Sequence, residues 1–400
     1  MSKKTFVSLF SGCGGLDLGF TMAGFECVGA FDKDKRVIQV HNENITHTTA
    51  KEADLSLEES DSMIPYADIL VSGPPCQGFS TAGKMMVSDD RNLLLQVAVR
   101  VAKIIQPTVV VIENVPGLTS GKMKRHYQGL IDSLEKLNYI TKTVTCDSFD
   151  YGVPQHRKRV FIIAWNARLP FTDNISLSDI QKKTTVNEAL AGIKAADINH
   201  MPKMLSPGTD EYIIASRIEA GQKLCDVRGG PKAVHTWDIP EIYGTVCDDE
   251  KMILELVRLL RRRERKRKDG DSDPVSIHRI KDETLFSPDT HIDALIEKGY
   301  LRRNGDCIDM ARAFNGWYRR LDGMGYSPTV DTRFGRPKYF LHPTENRGLT
   351  VREAARLQTF PDDFIFNGTE IEQYRMIGNA VPPKMAHTIA SYIDGNLLSA

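Results

Sequence analysis

The chain has 400 residues, 41% of them hydrophobic and 26% charged, the ordinary mix of a soluble globular protein with room for two or three domains. Its 52 basic residues balance 52 acidic ones, so no global charge marks a partner. No apolar run nears the ~20 residues of a membrane span, and the opening residues are too short for a signal-peptide core. Seven cysteines, odd in number and without a Cys-x-x-Cys pair, argue against a disulfide framework and a zinc site and point to reduced thiols inside a cell.

In chain order, short β-branched runs predict strands near 5–10, 26–31, 68–72 and 109–113, with a β-rich end at 141–146 and 159–164. The stretch Asn92 to Ile105 has helical period between two of these strands. Asp68-Ile-Leu-Val-Ser72, that helix and Val109-Val-Val-Ile112 therefore form a βαβ unit whose strands are parallel and adjacent. The first 165 residues read as a doubly wound α/β domain. From 166 to 346 the pattern breaks into short polar pieces with many prolines, consistent with an inserted second domain. Within it, Asp248 to Arg263 is a strong helix, and His291 to Arg303 reads as a helix ending at Gly299 that runs into a strand. With Val275 to Arg279 these could form a small winged-helix unit. From 347 to 400 the chain returns to the first domain: Thr350 and Glu353 form a capping box, and a last helix spans about Pro383 to Leu397.

Chemistry gathers where predicted strands end. Phe10-Ser-Gly12-Cys13-Gly14-Gly15 is a glycine-rich turn opening a helix, and Asp32 lies 20 residues after Gly12 at the end of the second strand. That spacing suits a ribose-binding acid, although the turn is not Gly-x-Gly-x-x-Gly and fits a nucleoside better than a dinucleotide. Asp54, before Leu55, would lie on the same sheet edge and could accept from an adenine amino group or serve as a helix N-cap. Pro74-Pro75-Cys76-Gln77-Gly78 follows the strand at 68–72 and holds a cysteine behind two rigid residues. Gln77 to Asn92 then reads as a mobile lid over a fixed nucleophile. Glu113, 37 residues after Cys76, ends the adjacent strand, so thiol and carboxyl can share one site. Partial burial there would raise its pKa and let it supply a proton. Strand alternation puts Gln155, Arg157 and Arg159 on one face, where the arginines form either an anion clamp or a solvated surface. Arg258 to Lys268 holds eight basic residues against Glu264. Such a run is a nucleic-acid footprint or a solvated helix end.

The order of these motifs resembles that of the cytosine-C5 DNA methyltransferases, over roughly 5–165 and 345–395. Phe10 to Gly15 is similar to that family's S-adenosylmethionine loop, Pro75-Cys76-Gln77 to its nucleophile motif, and Glu113-Asn114-Val115 to its acid motif. Gln155-x-Arg157-x-Arg159 resembles its target-base clamp. Arg352 to Gln358 with Phe360-Pro361 resembles its domain-organising helix, and Gly378-Asn379-Ala380-Val381-Pro-Pro383 its last cofactor motif. Lys33 departs from the pattern, since the family commonly has an aromatic or apolar residue against the adenine there.

The resemblance implies an S-adenosylmethionine-dependent, Rossmann-like catalytic domain at 1–165, a target-recognition domain at 166–346 and a closing segment at 347–400. It implies methyl transfer to C5 of a cytosine flipped out of a specific double-stranded DNA sequence, by a monomer in the cytoplasm, at the nucleoid. It also implies a place in a restriction-modification system, with a cognate restriction endonuclease acting separately, or a standing as an orphan methylase. Catalysis would fall to Cys76, Glu113, Arg157 and Arg159. Cofactor contacts would come from Phe10, Gly12, Cys13, Gly14, Gly15, Asp32, Asp54, Leu55, Pro75, Asn379, Ala380 and Val381. DNA contacts would come from Gln77 and from Arg261, Arg262, Arg263, Arg265, Lys266, Arg267 and Lys268 of the basic run. Two other readings stand beside it: a transfer-RNA cytosine methyltransferase, whose Cys-Phe-Thr signature this chain lacks, and a catalytically inert DNA-binding protein.

Overall fold

The computed structural model describes residues 3–75, 94–169, 177, 182–267, 272–312 and 314–398. Cys76, Gln77, the segment to Asn92 read as a lid, and Lys268 lie outside these. The described chain divides into two compact units. The first comprises 1–201, 324–332 and 350–400, the second 202–323 and 333–349. Compared with boundaries expected at 165 and 346, the first unit keeps the chain to 201 and takes back a short segment at 324–332.

Seven strands build the sheet of the first unit: β1 Thr5–Leu9, β2 Glu26–Asp32, β3 Ala50–Glu52, β4 Ile69–Ser72, β5 Val109–Asn114, β6 Tyr139–Asp147 and β7 Lys158–Asn166. Their spatial order is β3-β2-β1-β4-β5-β7-β6. β4 pairs with β5 in parallel, Ile69 against Val109 through Ser72 against Ile112. β7 runs antiparallel to both β5 and β6. Because the chain runs outward from β1 through β2 to β3 and then returns to β4 on the other side of β1, the strand order reverses beside β1. In doubly wound sheets a ligand crevice opens at that reversal, outside the carboxyl ends of the strands.

Residue alternation explains why the strands read as continuous apolar runs. Val109 and Val111 join the core on one face with Phe6, Phe161 and Ile163, while Val110 and Ile112 join the other with Val7, Ile162 and Ala164. A sheet buried on both sides needs apolar residues at every position. Helices α1 Gly15–Met22 and, from the far end of the chain, Pro383–Asn396 cover the first face. Helices α3 Leu94–Ile105 and α4 Lys124–Lys136 cover the second, α3 through Leu95, Ala98, Val101, Ala102 and Ile105. Between β2 and β3 lies α2, Lys35–Asn44, capped by the Asp34 side chain accepting from Arg36 N–H.

The helix Val351–Leu357 begins with the expected capping box: Thr350 N–H donates to Glu353 Oε2 at 2.8 Å and Glu353 N–H to Thr350 Oγ1 at 3.2 Å. Arg352 in it is fully buried and donates to the carbonyls of Ile198, Pro361 and Phe364.

Among the described residues of the second unit are two apolar clusters. One encloses the helix Asp248–Arg263, the strand Val275–Ser276, the helices Ile277–Glu283 and Asp289–Glu297, and the hairpin of Leu301–Asn304 with Cys307–Met310. The hairpin strands are antiparallel, and Cys307 and Ile308 also pair with Ser276 and Val275. Helix, strand, two helices and a hairpin in this order are the plan of a winged helix-turn-helix. Among the described residues no helix is long and apolar enough to cross a membrane.

Candidate active site

The carboxyl ends of β1, β2, β4 and β5 open into a cavity of about 580 Å³, within the range of small-ligand sites. Its wall is built from the glycine turn upward. Phe10 leaves β1 at φ +56°, in the left-handed region that a bulky side chain rarely occupies. Gly12 N–H then donates to Asp32 Oδ2 at 3.0 Å, and Ser11 N–H to the Phe31 carbonyl at 3.1 Å, so the end of β2 latches the turn. Gly14, at φ +93°, caps α1, and a Cβ there would meet His41 Cδ2 at 2.9 Å. A Cβ on Gly15 would meet the Val381 carbonyl oxygen at 2.5 Å. The turn is therefore glycine-rich partly because the far end of the chain packs onto it.

Residues expected from the two ends of the sequence meet here. Phe10, Gly12, Cys13, Gly15, Asp32, Asp54, Leu55, Pro75, Asn379, Ala380 and Val381 all line the cavity, as do Glu113, Arg157 and Arg159. Gly14 does not line it and instead supports the turn from beneath. Ser11 Oγ is buried in the same wall without a hydrogen-bond partner. An orphaned hydroxyl, a backbone-lined turn and an acid at the end of β2 together fit a nucleoside with a hydrogen-bonding tail.

Several side chains are placed differently from what spacing suggests. Asp32 already accepts from two backbone N–H groups, those of Gly12 and Asp34, each at 3.0 Å. Burial nonetheless pushes its carboxyl above the usual range, against the pull of those N–H groups. Asp54 is exposed, and its Oδ1 accepts from Ser56 Oγ at 2.6 Å and Ser56 N–H at 3.0 Å, which lowers its pKa. It forms a local turn at the cavity rim. Cys13 is buried, and desolvation pushes its thiol up to about 12, so this cysteine is a packing group and not a nucleophile.

Glu113 and Arg159 form an ion pair in the cavity wall, Arg159 Nε to Glu113 Oε1 at 2.8 Å, each side chain almost enclosed. Burial raises the Glu113 carboxyl above its usual range, while Arg159 and then Arg157 pull it down. A carboxyl so balanced can hold a proton and release it. Asn114 Nδ2 donates to the Pro74 carbonyl at 3.4 Å, which ties the end of β5 to the turn that leads to Cys76.

Gln155 and Arg157 correct the expectation of one strand face, because β7 begins only at Lys158. Arg157 is 1% exposed and donates to the carbonyls of Val330 at 3.1 Å and Gly378 at 2.9 Å. Gln155 is fully buried, donates to the Leu357 carbonyl and accepts from Val330 N–H. Both are stitches between distant segments, while Arg159 pairs with Glu113. Lys33, singled out in the sequence as the position facing the adenine in the family, lines the cavity, and sequence reasoning missed Arg36, Glu372 and Arg375, which also line it. Arg36 and Glu372 form an ion pair across the chain's two ends, which nothing local in the sequence signals.

In the basic run, Arg261 is not available to a polyanion: it is 7% exposed and paired with the buried Asp309. Its position on the helix could have shown this, since it follows Leu254 and Val257 on the buried stripe. Arg262, Arg263, Arg265, Lys266 and Arg267 are exposed. Among the described residues one group could approach a metal, Cys247, Glu250 and His291. Both Glu250 oxygens there already accept from Lys298 Nζ at 2.7 Å.

The family model for C-5 cytosine-specific DNA methylases matches residues 4–395. The chain is 29% identical to the Type II methyltransferase M.HgiCII of Herpetosiphon aurantiacus, over all of this chain and 98% of that protein. It is 30% identical to the Type II methyltransferase M.XorII of Xanthomonas oryzae pv. oryzae, over 98% of this chain and 85% of the other. Among solved structures, a prophage-encoded methyltransferase of E. coli superposes with a TM-score of 0.61 at 24% identity, covering 99% of this chain and all of that one. A glycine turn latched by Asp32, an acid paired with an arginine at the neighbouring strand end, and a match along nearly the whole chain lead to one conclusion: the protein belongs to the C-5 cytosine-specific DNA methylases.

Proposed function

We propose that this DNA (cytosine-5-)-methyltransferase transfers the methyl group of S-adenosylmethionine to a cytosine flipped out of a specific double-stranded DNA sequence, with Cys76 as nucleophile and Glu113 as acid. The observation that carries the reading is the shared edge: the glycine turn, Pro75 and Glu113 line one cavity at the ends of β1, β4 and β5. In that cavity Phe10, Gly12 and Leu55 would border the cofactor, Asp32 would accept from its ribose, and Asn379 to Val381 would close over it. Bound there, S-adenosylmethionine supplies an electrophilic methyl group.

The cytosine must leave the stack because C5 and C6 are covered in a duplex. The Cys76 thiolate then forms a bond to C6, while Glu113 gives a proton to N3 and so lets the electron pair of the C5–C6 bond collect at C5. Arg159 holds Glu113 in place and would contact the pyrimidine carbonyl. After C5 has gained the methyl group, water takes the C5 proton. The C6–sulfur bond breaks, N3 returns its proton to Glu113, and the thiolate is restored with the product base. Arg157 fixes the strand entry that carries Arg159. The relatives called Type II methyltransferases support a place beside a restriction endonuclease with the same target sequence, or as an orphan methylase.

Labelled S-adenosylmethionine offered with DNA and with transfer RNA tests the reading: label is expected in DNA at C5 of cytosine, with Cys76→Ser inactive yet still binding cofactor. A duplex carrying 5-fluorocytosine cannot release its C5 substituent as a proton, so it should remain covalently attached to the wild-type enzyme. Label confined to transfer RNA, or a Cys76→Ser variant turning over like wild type, refutes it.

A further inference from the structure

The charges of the winged-helix unit at 248–310 are unevenly divided among its elements. In most helix-turn-helix proteins the second helix of the pair enters the major groove. Here that helix, Asp289–Glu297, carries three acids and no lysine or arginine. Ile292 and Leu295 face the core, so the outward positions are Asp289, Thr290, Asp293 and Glu297, all exposed. Lys281 pairs with Asp289 at 2.8 Å and Arg303 with Asp293 at 2.7 Å, so this face offers carboxylates and neutralised pairs, and no lysine or arginine of its own, to a duplex that carries one negative charge about every 1.7 Å of axis.

The opposite character gathers at the end of the helix Asp248–Arg263. Asp309, 6% exposed, is shared by the guanidiniums of Arg261 and Arg302. One carboxylate between two cations leaves a positive charge over, and it is expressed at Arg302, whose side chain is 65% exposed on the hairpin. The Arg261 carbonyl accepts from Asp273 N–H, and Asp273 in turn accepts from the backbone N–H of Lys266 at 2.6 Å. A continuous chain of contacts thus joins the hairpin arginine to the basic run. Arg263 and Arg267 are paired with Glu283 and Asp273. Arg262 and Lys266 are exposed, and neither has an acidic partner among the described residues.

We propose that this winged-helix unit grips DNA by its basic edge, Arg262 and Lys266 with the hairpin's Arg302, and that the helix Asp289–Glu297 stays out of the groove. The inference rests on the DNA-methylating reading above and adds which side of the inserted unit meets the duplex. Flexible cations on phosphates set register and on-rate without encoding sequence.

The test uses the full chain with a mixed-sequence DNA duplex, binding being measured across salt concentrations and the methylated sequence mapped by bisulfite conversion. In R262Q/K266Q/R302Q, the slope of log affinity against log salt is expected to flatten by up to about 0.9 per lost contact, with the methylated sequence unchanged. Arg302→Lys keeps the charge and should keep the slope, which separates a phosphate contact from a disturbed fold. In D289N/D293N/E297Q, the methylated sequence should stay the same and binding should be no weaker. An unchanged slope in the first variant, a slope lost in Arg302→Lys, or a new sequence or weaker binding in the last would overturn the inference. Wild-type enzyme that methylates no DNA fails the underlying reading, whereas one that methylates with an unaltered slope in the first variant fails this inference alone.

Discussion

Asp32→Ala removes the acceptor for two backbone N–H groups and, in the proposed reading, for a ribose hydroxyl. Gly12 N–H and Asp34 N–H lie 3.0 Å from separate oxygens of this carboxylate. Hydrogen bonds to a charged group contribute about 1.5–3 kcal/mol each, so losing the ribose contact alone weakens S-adenosylmethionine binding about ten- to hundredfold. Releasing Gly12 lets the turn move and adds to this loss, and it also lowers thermal stability. Asp32→Asn keeps one oxygen, so it can serve only one of the two N–H groups and should fall between wild type and alanine. Calorimetry with S-adenosylmethionine and its 2′-deoxy and 3′-deoxy analogues separates the two effects. If Asp32 touches ribose, wild type discriminates against an analogue and the alanine variant does not, a coupling that a double-mutant cycle reads directly. Alanine-variant affinity within about twofold of wild type, well under 1 kcal/mol, would refute the ribose role and leave Asp32 as a latch alone.

Glu113→Gln should lower kcat about a hundred- to ten-thousandfold, the usual reach of a positioned acid, with cofactor affinity retained; near-normal turnover would remove Glu113 from the chemistry. Burial raises this carboxyl and Arg159 opposes the rise, so Arg159→Gln should move the alkaline limb of the kcat profile to higher pH, and a limb that does not move would contradict the assignment. In the second unit, burial raises Asp226 to about 6 from 3.8, although Thr236 donates to it twice. A carboxyl raised on folding stabilises most when protonated. Relative to Asp226→Asn, wild type should therefore be favoured below pH 4 and lose about 3 kcal/mol of that advantage as pH rises to 6 and above, measured by urea unfolding. A flat difference across this window would refute it.

The centre of the sheet was legible because both faces are buried there, which writes β4 and β5 as unbroken apolar runs, whereas the edge strand β3, Ala-Lys-Glu, carries no such signal. β4 and β5 could be read as parallel neighbours from the helix between them alone. Glu113 was equally readable, since a carboxylate ending such a run stands out. What the sequence hid depends on partners remote in the chain. Gln155 and Arg157 look like members of a clamp until Val330, Leu357 and Gly378 supply the carbonyls and N–H that bury them. Arg36 gives no sign of Glu372, and Ser11 none that its hydroxyl ends without a partner. Asp54 lay between these cases, because its bond to Ser56 is local and an N-cap-like turn was already one of its two readings.

The wall contributed by Asn379, Ala380 and Val381 also has a consequence in time. Ribosomes deliver the glycine turn well before this wall, with the whole second unit synthesised in between. Until Val381 emerges, Gly15 faces open space where its carbonyl neighbour will sit, and Cys13 lacks the Met376 carbonyl it donates to. A nascent chain therefore has an incomplete cavity however well its first strands have paired, until residues 379–381 have been made. The two ends of the chain are then side by side, Lys4 Nζ lying 2.6 Å from Asp394. A gene reopened inside the second unit, with the old ends joined by a short linker, would deliver both halves of the cavity consecutively.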